Sequence, residues 1–330
     1  MIQGLTHNDH DRHYDASALS QPSHRPRQGA LRARKTTSLL GLGVTAGLSL
    51  LTTGCGERYL VFRPVGPVGQ VEKELIILSI ILVLAVIIPV SLLLWHIVWR
   101  YRDVPGNPAP YDPEWSESHV LEVIWWGIPI VIVGVLGAFT VRDTFLLTKP
   151  PERTAAPLTV QVTSLNWKWL FQYPDQKIAT VNYCEIPTNR PIQFILSANG
   201  PMNSFWVPQL GGQEYAMPGM AMRLWLQADR SGVYYGHGAN FTGRGFAHMA
   251  FNVIARPRAE FDGWVRQVRH SAPVLTRVGY QSLVQSNLVK PMAFSAYAPG
   301  IFESALLKEG GMYMKRDLTM LGRSHSHSGT

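Results

Sequence analysis

Cysteine and charge are both scarce in this chain of 330 residues. It has two cysteines, Cys55 and Cys184, and charged residues make up 16% of it. Cys184 lies in an alternating strand-like pattern and is read as a buried thiol, so the pair does not form a disulfide framework. The net charge is +8, but the basic residues are scattered apart from one cluster, HRPRQGALRARK, that precedes an apolar stretch. The sequence therefore predicts no nucleic-acid partner.

Two apolar runs account for much of the hydrophobic content. Residues 75–98 carry no charge, and residues 120–141 carry only Glu122. Because about 20 apolar residues cross a bilayer as a helix, both runs predict transmembrane helices. We assign residues 55–149 to a lipidated N-terminus followed by this two-helix hairpin.

The residues before the hairpin have the order of a secretory signal. A basic stretch at 25–35 precedes an apolar stretch at 38–51, and Cys55 follows. Residues 1–54 are therefore predicted to be a disordered start and a signal peptide. The sequence TTGC resembles a lipoprotein processing site, with Thr52 where leucine is usual, so Cys55 is predicted to be lipidated, with palmitate among its acyl groups. The alternatives are ordinary cleavage nearby and an uncleaved anchor.

Short strand-like runs replace the helical pattern after residue 150. Gly, Pro and Asn separate the runs, which is typical of a β-sandwich or a Greek-key barrel. We assign residues 150–256 to this domain, and residues 257–330 to a C-terminal helical segment and a polar tail. The eight runs are LTVQVTS, WKWLFQY, KIATVNY, IQFILSA, FWVPQ, MRLWLQA, GVYYG and HMAFNVIA.

Four motifs resemble subunit II of the haem-copper respiratory oxidases, in that family's order and spacing. They are SHVLEVIWWGIPI, NWKWLFQYP, MNSFWVPQLGG and YAMPGMAMRLWL. The resemblance implies an α+β membrane protein, in which a two-helix transmembrane hairpin precedes a cupredoxin-like Greek-key β-barrel and a C-terminal helical segment. The run FSAYAPGIFESAL is similar to a C-terminal segment of the quinol oxidase branch.

The stretch YYGHGANFTGRGFAHMAF separates the branches of this family. In the cytochrome c oxidase branch the resemblance implies a dinuclear copper centre, for which bridging thiolates are indispensable. Here Met249 alone matches a ligand position. This implies the quinol oxidase branch, with no metal and no cofactor on this chain. The replaced ligand positions are Asn203, Gly238, Asn240, Thr242 and Phe246.

The residues that remain offer a different copper site as an alternative. Two histidines and a thioether bind Cu(II) weakly without thiolates, but methionine is mostly core filler. Trp167 and Trp169, which in the cytochrome c branch lie on the electron path, are interpreted as packing residues. The candidate copper ligands are His237, His248, Met217, Met220 and Met222.

Glu122 is the one acidic residue inside a predicted membrane segment, a setting that is costly and often functional. By resemblance it lies at the mouth of a proton path into the catalytic subunit. The alternative is an interfacial carboxylate.

Together these features predict subunit II of a terminal, proton-translocating quinol:oxygen oxidoreductase, with no catalytic centre on this chain. The resemblance places the haems and copper in subunit I and implies subunit I, subunit III, a small subunit IV, membrane lipid and the quinol pool as partners. It implies a bacterial inner-membrane protein with a periplasmic C-terminal domain. Two alternatives stay open, a cytochrome c oxidase subunit II with altered electron entry and a membrane-anchored periplasmic β-domain that binds a partner.

Overall fold

The computed structural model describes residues 59–110, 112–114, 116–150, 155–285 and 287–308. Two long helices come first, α1 over Pro67–Arg100 and α2 over His119–Leu147, and both are long and apolar enough to cross a membrane. They confirm the predicted hairpin, but α1 begins eight residues before the apolar run. The proposed signal peptide, Cys55 and the polar tail after residue 308 lie outside the described residues.

Thirteen strands lie in the described residues after α2, and most belong to two packed sheets. One sheet has six strands in the order β12-β3-β2-β1-β5-β8, and the other has five in the order β4-β10-β9-β6-β7. The strands are β1 Leu158–Leu165, β2 Lys168–Tyr173, β3 Ile178–Val181, β4 Tyr183–Pro187, β5 Ile192–Ala198, β6 Asn203–Trp206, β7 Gln213–Ala216, β8 Met222–Leu226, β9 Gly232–Gly238, β10 Ala250–Arg256, β11 Val274–Leu275, β12 Met292–Phe294 and β13 Ala296–Tyr297.

Aromatic side chains fill the space between the two sheets. Phe205 and Phe251 stack with ring centroids 4.9 Å apart, and Trp169 meets Phe205 edge-on at 5.4 Å. All three are buried. Aromatic pairs at such spacings add to the free energy gained by burying apolar area, so this cluster fixes how the sheets face each other.

The predicted run KIATVNY is two strands. The chain leaves β3 at Val181 and enters β4 at Tyr183, which belongs to the other sheet. Asn182 makes the corner with φ of 60°, a left-handed conformation that Asn tolerates better than most residues. Its side chain accepts a hydrogen bond from the Trp169 amide at 3.0 Å and donates to the Val289 carbonyl at 2.9 Å.

Both long helices are anchored to the β-domain at their near ends. The indole of Trp225 on β8 donates to the carbonyl of Leu147 at 2.7 Å, at the end of α2. Near the start of α1, the amide of Gly69 donates to the Leu210 carbonyl at 3.1 Å, and Glu72 accepts from the Gly212 amide at 2.8 Å. The β-domain therefore begins where the membrane helices end.

The C-terminal segment folds back onto the six-stranded sheet. It contains helices α3 (Arg258–Ser271), α4 (Arg277–Val284) and α5 (Ile301–Lys308). Helix α3 buries one apolar face, which includes Phe261, Val265 and Val268. Strand β12 then pairs antiparallel with β3 and becomes an edge of the sheet. The predicted fold class, a helical hairpin, a β-domain and a C-terminal helical segment, is confirmed.

Candidate functional site

The first of the replaced ligand positions lies in contact with the retained methionine. Asn203, at the start of β6, is fully buried, and its amide nitrogen donates to the sulfur of Met249 at 2.7 Å. Its amide oxygen accepts from the Ser204 amide at 2.8 Å. The thioether that could face a metal thus faces an amide of the same chain.

Gly238, the second replaced position, lies directly against Asn203. A Cβ atom at Gly238 would come within 2.8 Å of the Asn203 amide oxygen. The Gly238 amide donates to the Met249 carbonyl at 3.0 Å. These contacts close the space at this end of the loop, so any side chain at 238 requires Asn203 to move.

The remaining replaced positions keep the loop folded through other contacts. The indole of Trp167 donates to the carbonyl of Thr242 at 3.0 Å, and a Cβ at Gly245 would collide with the indole ring. Asn240 donates to the Met202 carbonyl at 3.1 Å. Phe246 packs edge-on against Phe241 with centroids 5.6 Å apart. The loop therefore depends on aromatic and amide contacts.

The two histidines of the loop have different surroundings. His237 is half-buried between Trp206 and Tyr235, at centroid distances of 5.2 and 5.4 Å, and its Nδ1 lies 2.9 Å from the Gly238 carbonyl oxygen. His248 is exposed at the end of a short 3-10 helix. In the described parts of the chain, no three His, Cys, Asp or Glu side chains form a group that could hold a metal ion.

The donor set does not fit the dinuclear copper centre that the fold family implies. Bridging thiolates are needed for such a centre, and the corresponding positions hold Gly238 and Thr242, which supply none. Asn203 further occupies the neighbourhood of the one thioether, Met249. The loop therefore lacks the ligands that a dinuclear copper electron relay requires.

The two tryptophans of NWKWLFQYP have different surroundings. Trp169 lies in the aromatic core, whereas Trp167 is half-buried with φ of 61° and rests on the loop at Gly245. Both make packing contacts, as interpreted from the sequence. No signal in the sequence indicated that Trp167 would support the loop from below.

Lys168, between these tryptophans, is a buried ammonium that no local sequence pattern indicates. Its Nζ donates to the carbonyl oxygens of Leu283 at 2.7 Å and Gln285 at 2.8 Å, and to the side chain of Asn287 at 2.9 Å. Burial lowers the pKa of Lys168. The lysine joins β2 to the end of helix α4, so it fastens the C-terminal segment to the sheet.

Cys184 is buried on β4, as predicted. The hydroxyl of Tyr173 donates to its sulfur at 3.3 Å. Burial is the main cause that raises the pKa of this thiol to about 12. A thiol with so little thiolate at neutral pH is a poor nucleophile and metal ligand.

Glu122 lies in the first turn of helix α2. Its carboxylate is 3.7 Å from Nδ1 of His119, and its side chain is 58% exposed. Ser118 caps the helix by accepting a hydrogen bond from the Leu121 amide at 3.5 Å. A carboxylate here also favours the helix N-terminus electrostatically. The side chain is thus exposed at the start of α2.

The family model and the relatives that match this chain indicate related oxidase subunits. Residues 176–256 match the family described as "Cytochrome C oxidase subunit II, periplasmic domain". The chain is 43% identical to quinol oxidase subunit 2 of Bacillus cereus over 265 residues, which cover 80% of this chain and 90% of that protein. It is 40% identical to cytochrome bo(3) ubiquinol oxidase subunit 2 of Pseudomonas aeruginosa, over 79% of this chain and 78% of that protein.

Ubiquinol oxidase subunit 2 of Acetobacter aceti is likewise 40% identical, over 82% of this chain and 89% of that protein. Relatives in three genera thus match both the helical hairpin and the β-domain over most of their length. The two apolar helices, the two-sheet β-domain and these relatives agree, and the chain belongs to the quinol oxidase subunit 2 family.

Proposed function

We propose that this chain is the cofactor-free subunit 2 of a membrane-bound, proton-translocating quinol oxidase. The observation that carries the proposal is the buried contact between Asn203 and Met249, with Gly238 beside it, at the place where related oxidases hold copper. The relatives named as quinol oxidase subunits favour this function over that of a cytochrome c oxidase subunit.

The electron donor explains why such a loop can dispense with metal. A soluble donor would need a relay on the exposed β-domain, but a quinol is dissolved in the bilayer and delivers its electrons there. The haems and the oxygen-reducing copper then belong to subunit I, and this chain supports that subunit. We place the β-domain on the periplasmic side of the inner membrane, with subunits III and IV in the same complex and Cys55 as a lipid attachment point.

The proposal is tested by the donor specificity of the purified complex. We expect oxygen consumption with a short-chain quinol and none above background with reduced cytochrome c. Copper analysis of the full chain expressed alone is the matched chemical test, because the complex contains the copper of subunit I. Cytochrome c oxidation, or stoichiometric copper on this chain that survives a chelator, would contradict the proposal.

We propose further that Glu122 lies at the entrance of a proton path into the catalytic subunit. Its exposed carboxylate at the start of α2, beside His119, supports this role. Glu122→Gln should slow turnover at unchanged assembly, and Glu122→Asp should restore part of the rate because it restores the carboxylate. Glu117→Gln, an exposed carboxylate in the preceding loop, is the control. Equal turnover of Glu122→Gln and the control would refute the role.

A further inference from the structure

A polar cleft lies where helix α1 meets the β-domain. Its volume is about 520 Å³. Three segments contribute to it: the lead into α1, the first two turns of α1, and the turn between β8 and β9. Three cationic side chains and one carboxylate face it, so its lining carries a net charge of about +2 when all four are ionised. The lining residues are Phe62, Arg63, Pro64, Gln70, Lys73, Glu74 and Arg230.

Backbone contacts hold the three segments together. The Asp229 amide, in the β8–β9 turn, donates to the Val65 carbonyl in the lead at 3.0 Å. The Val65 amide donates to the Gln209 carbonyl at 2.8 Å, which also ties the lead to the β6–β7 loop. The hydroxyl of Tyr234 donates to the Arg230 carbonyl at 2.6 Å. A Cβ at Gly66 would collide with the backbone of the β8–β9 turn. The cleft is therefore a fixed part of the fold, and its cations converge without rearrangement of the backbone.

The position of the cleft relative to the bilayer follows from helix α1. Lys73 and Glu74 immediately precede Leu75, the first residue of the uncharged run 75–98. An α-helix rises about 1.5 Å per residue, so the cations lie within a few ångströms of the boundary of the hydrocarbon layer. That is the level of the lipid phosphates.

An exposed apolar face runs from the cleft into the hydrocarbon layer. Residues 4, 7, 8 and 11 positions after Lys73 lie on the same face of the helix as Lys73. Each is an aliphatic side chain that is more than two-fifths exposed. The cleft and this face together are complementary to a phospholipid. The cations of the cleft match the phosphate, and the apolar face of α1 matches the acyl chains. The face consists of Ile77, Ile80, Ile81 and Leu84.

We propose that this cleft binds one anionic phospholipid. Its phosphate pairs with Arg63, Lys73 and Arg230, and its acyl chains lie along the exposed face of α1. The excess of cations favours an anionic headgroup over a zwitterionic one, because Glu74 balances only one of the three. Guanidinium groups bind phosphate oxygens in pairs, which favours the two arginines as the main contacts.

The test is native mass spectrometry of the full chain in a neutral detergent, titrated with phosphatidylglycerol or phosphatidylcholine. We expect one phosphatidylglycerol to bind in preference to phosphatidylcholine. The variant Arg63→Gln/Lys73→Gln/Arg230→Gln should lose about a hundredfold in affinity for phosphatidylglycerol, since each cation near an anionic headgroup contributes roughly fivefold. Arg244→Gln/Arg258→Gln/Lys290→Gln, which removes three exposed cations outside the cleft, should bind as the unmodified chain does.

A change of the opposite sign separates binding from damage to the fold. Glu74→Gln removes the one carboxylate of the cleft and should raise the affinity for phosphatidylglycerol by roughly fivefold. Excess inorganic phosphate should not displace the lipid, because phosphate has no acyl chain to contact α1. The proposal is overturned if the two triple variants bind alike, if Glu74→Gln weakens binding, if phosphatidylcholine binds equally well, or if phosphate displaces the lipid.

Discussion

Replacement of Lys168 by methionine tests what fastens the C-terminal segment to the β-domain. Lys168 Nζ donates three hydrogen bonds across the junction, to Leu283, Gln285 and Asn287. Methionine keeps an unbranched side chain of similar length at this buried position but has no hydrogen-bond donor. The substitution therefore removes the polar contacts and leaves the packing volume nearly unchanged.

The expected loss follows from which acceptors are left without a donor. Burying an ammonium costs several kcal/mol, which roughly offsets three hydrogen bonds of about 1.5–3 kcal/mol each. The Gln285 and Asn287 acceptors are part-buried and can bind water instead. The Leu283 carbonyl belongs to the last turn of α4, lacks a helical partner and is buried. Its unsatisfied burial should cost about 2 kcal/mol.

Hydrogen exchange of the full chain measures this cost locally. A loss of about 2 kcal/mol is about a thirtyfold increase in the population of the opened segment. Peptides from residues 277–308 should exchange faster by about that factor in Lys168→Met, while peptides from β1 and β5 stay unchanged. Lys290→Met removes an exposed lysine of the same segment and is the control. Exchange in Lys168→Met within about threefold of this control would show that apolar packing alone holds the segment.

Three further predictions concern the loop, the buried ion pair and the corner between the sheets. Gly238→Ala should destabilise the chain by about 1–3 kcal/mol, because its Cβ would lie 2.8 Å from the Asn203 amide oxygen. Thermal unfolding should show a smaller cost of Gly238→Ala when Asn203→Ala is also present. Strictly additive costs of the two substitutions would refute the contact. Burial raises the pKa of Glu185 despite its pairing with Arg256 at 2.7 Å. The stabilising contribution of Glu185 is thus fully present below the ordinary pKa of 4.5 and is lost as pH rises through the raised pKa of the folded state. Glu185→Gln should therefore flatten the pH dependence of the unfolding free energy between these two pKa values. An unchanged pH profile would contradict this. Asn182→Ala should lower the melting temperature more than Asn189→Ala, which also has positive φ, because only Asn182 binds both Trp169 and Val289; equal shifts would refute this.

The elements that sequence patterns predicted well are those whose signal is local. A run of 24 uncharged residues from Leu75 has few alternatives to a membrane helix. The face of α3 follows from the spacing of Phe261, Val265 and Val268. Strand β1, with the sequence LTVQVTSL, alternates apolar and polar residues over most of its length. For each of these, one window of the chain contains the information that determines the structure.

The elements that were missed depend on partners far away in the chain. The run KIATVNY looks continuous, and only the contacts of Asn182 with Trp169 and Val289 require a corner there. Strand β12 has three residues and exists because β3 offers an open edge. The burial of Lys168 has no local signal, since nothing near it in sequence supplies the carbonyls that bind it. These features depend on tertiary contacts, and the hydrophobic periodicity of the sequence carries no information about such contacts.

The loop between β9 and β10 combines both kinds of information. Its chemistry was readable from the sequence, because the absence of thiolates at Gly238 and Thr242 decides against dinuclear copper wherever the loop lies. Its shape was not readable, since nothing within the loop shows what keeps it folded when the thiolate ligands are replaced. The reason is found in contacts from outside the loop: the Trp167 indole beneath Gly245 and the Asn203 amide on Met249. Met249, which matches a ligand position only by the family resemblance, is buried here, 2% exposed, against the Asn203 amide. A residue that matches a ligand position is evidence for a metal only when its neighbours could also bind one.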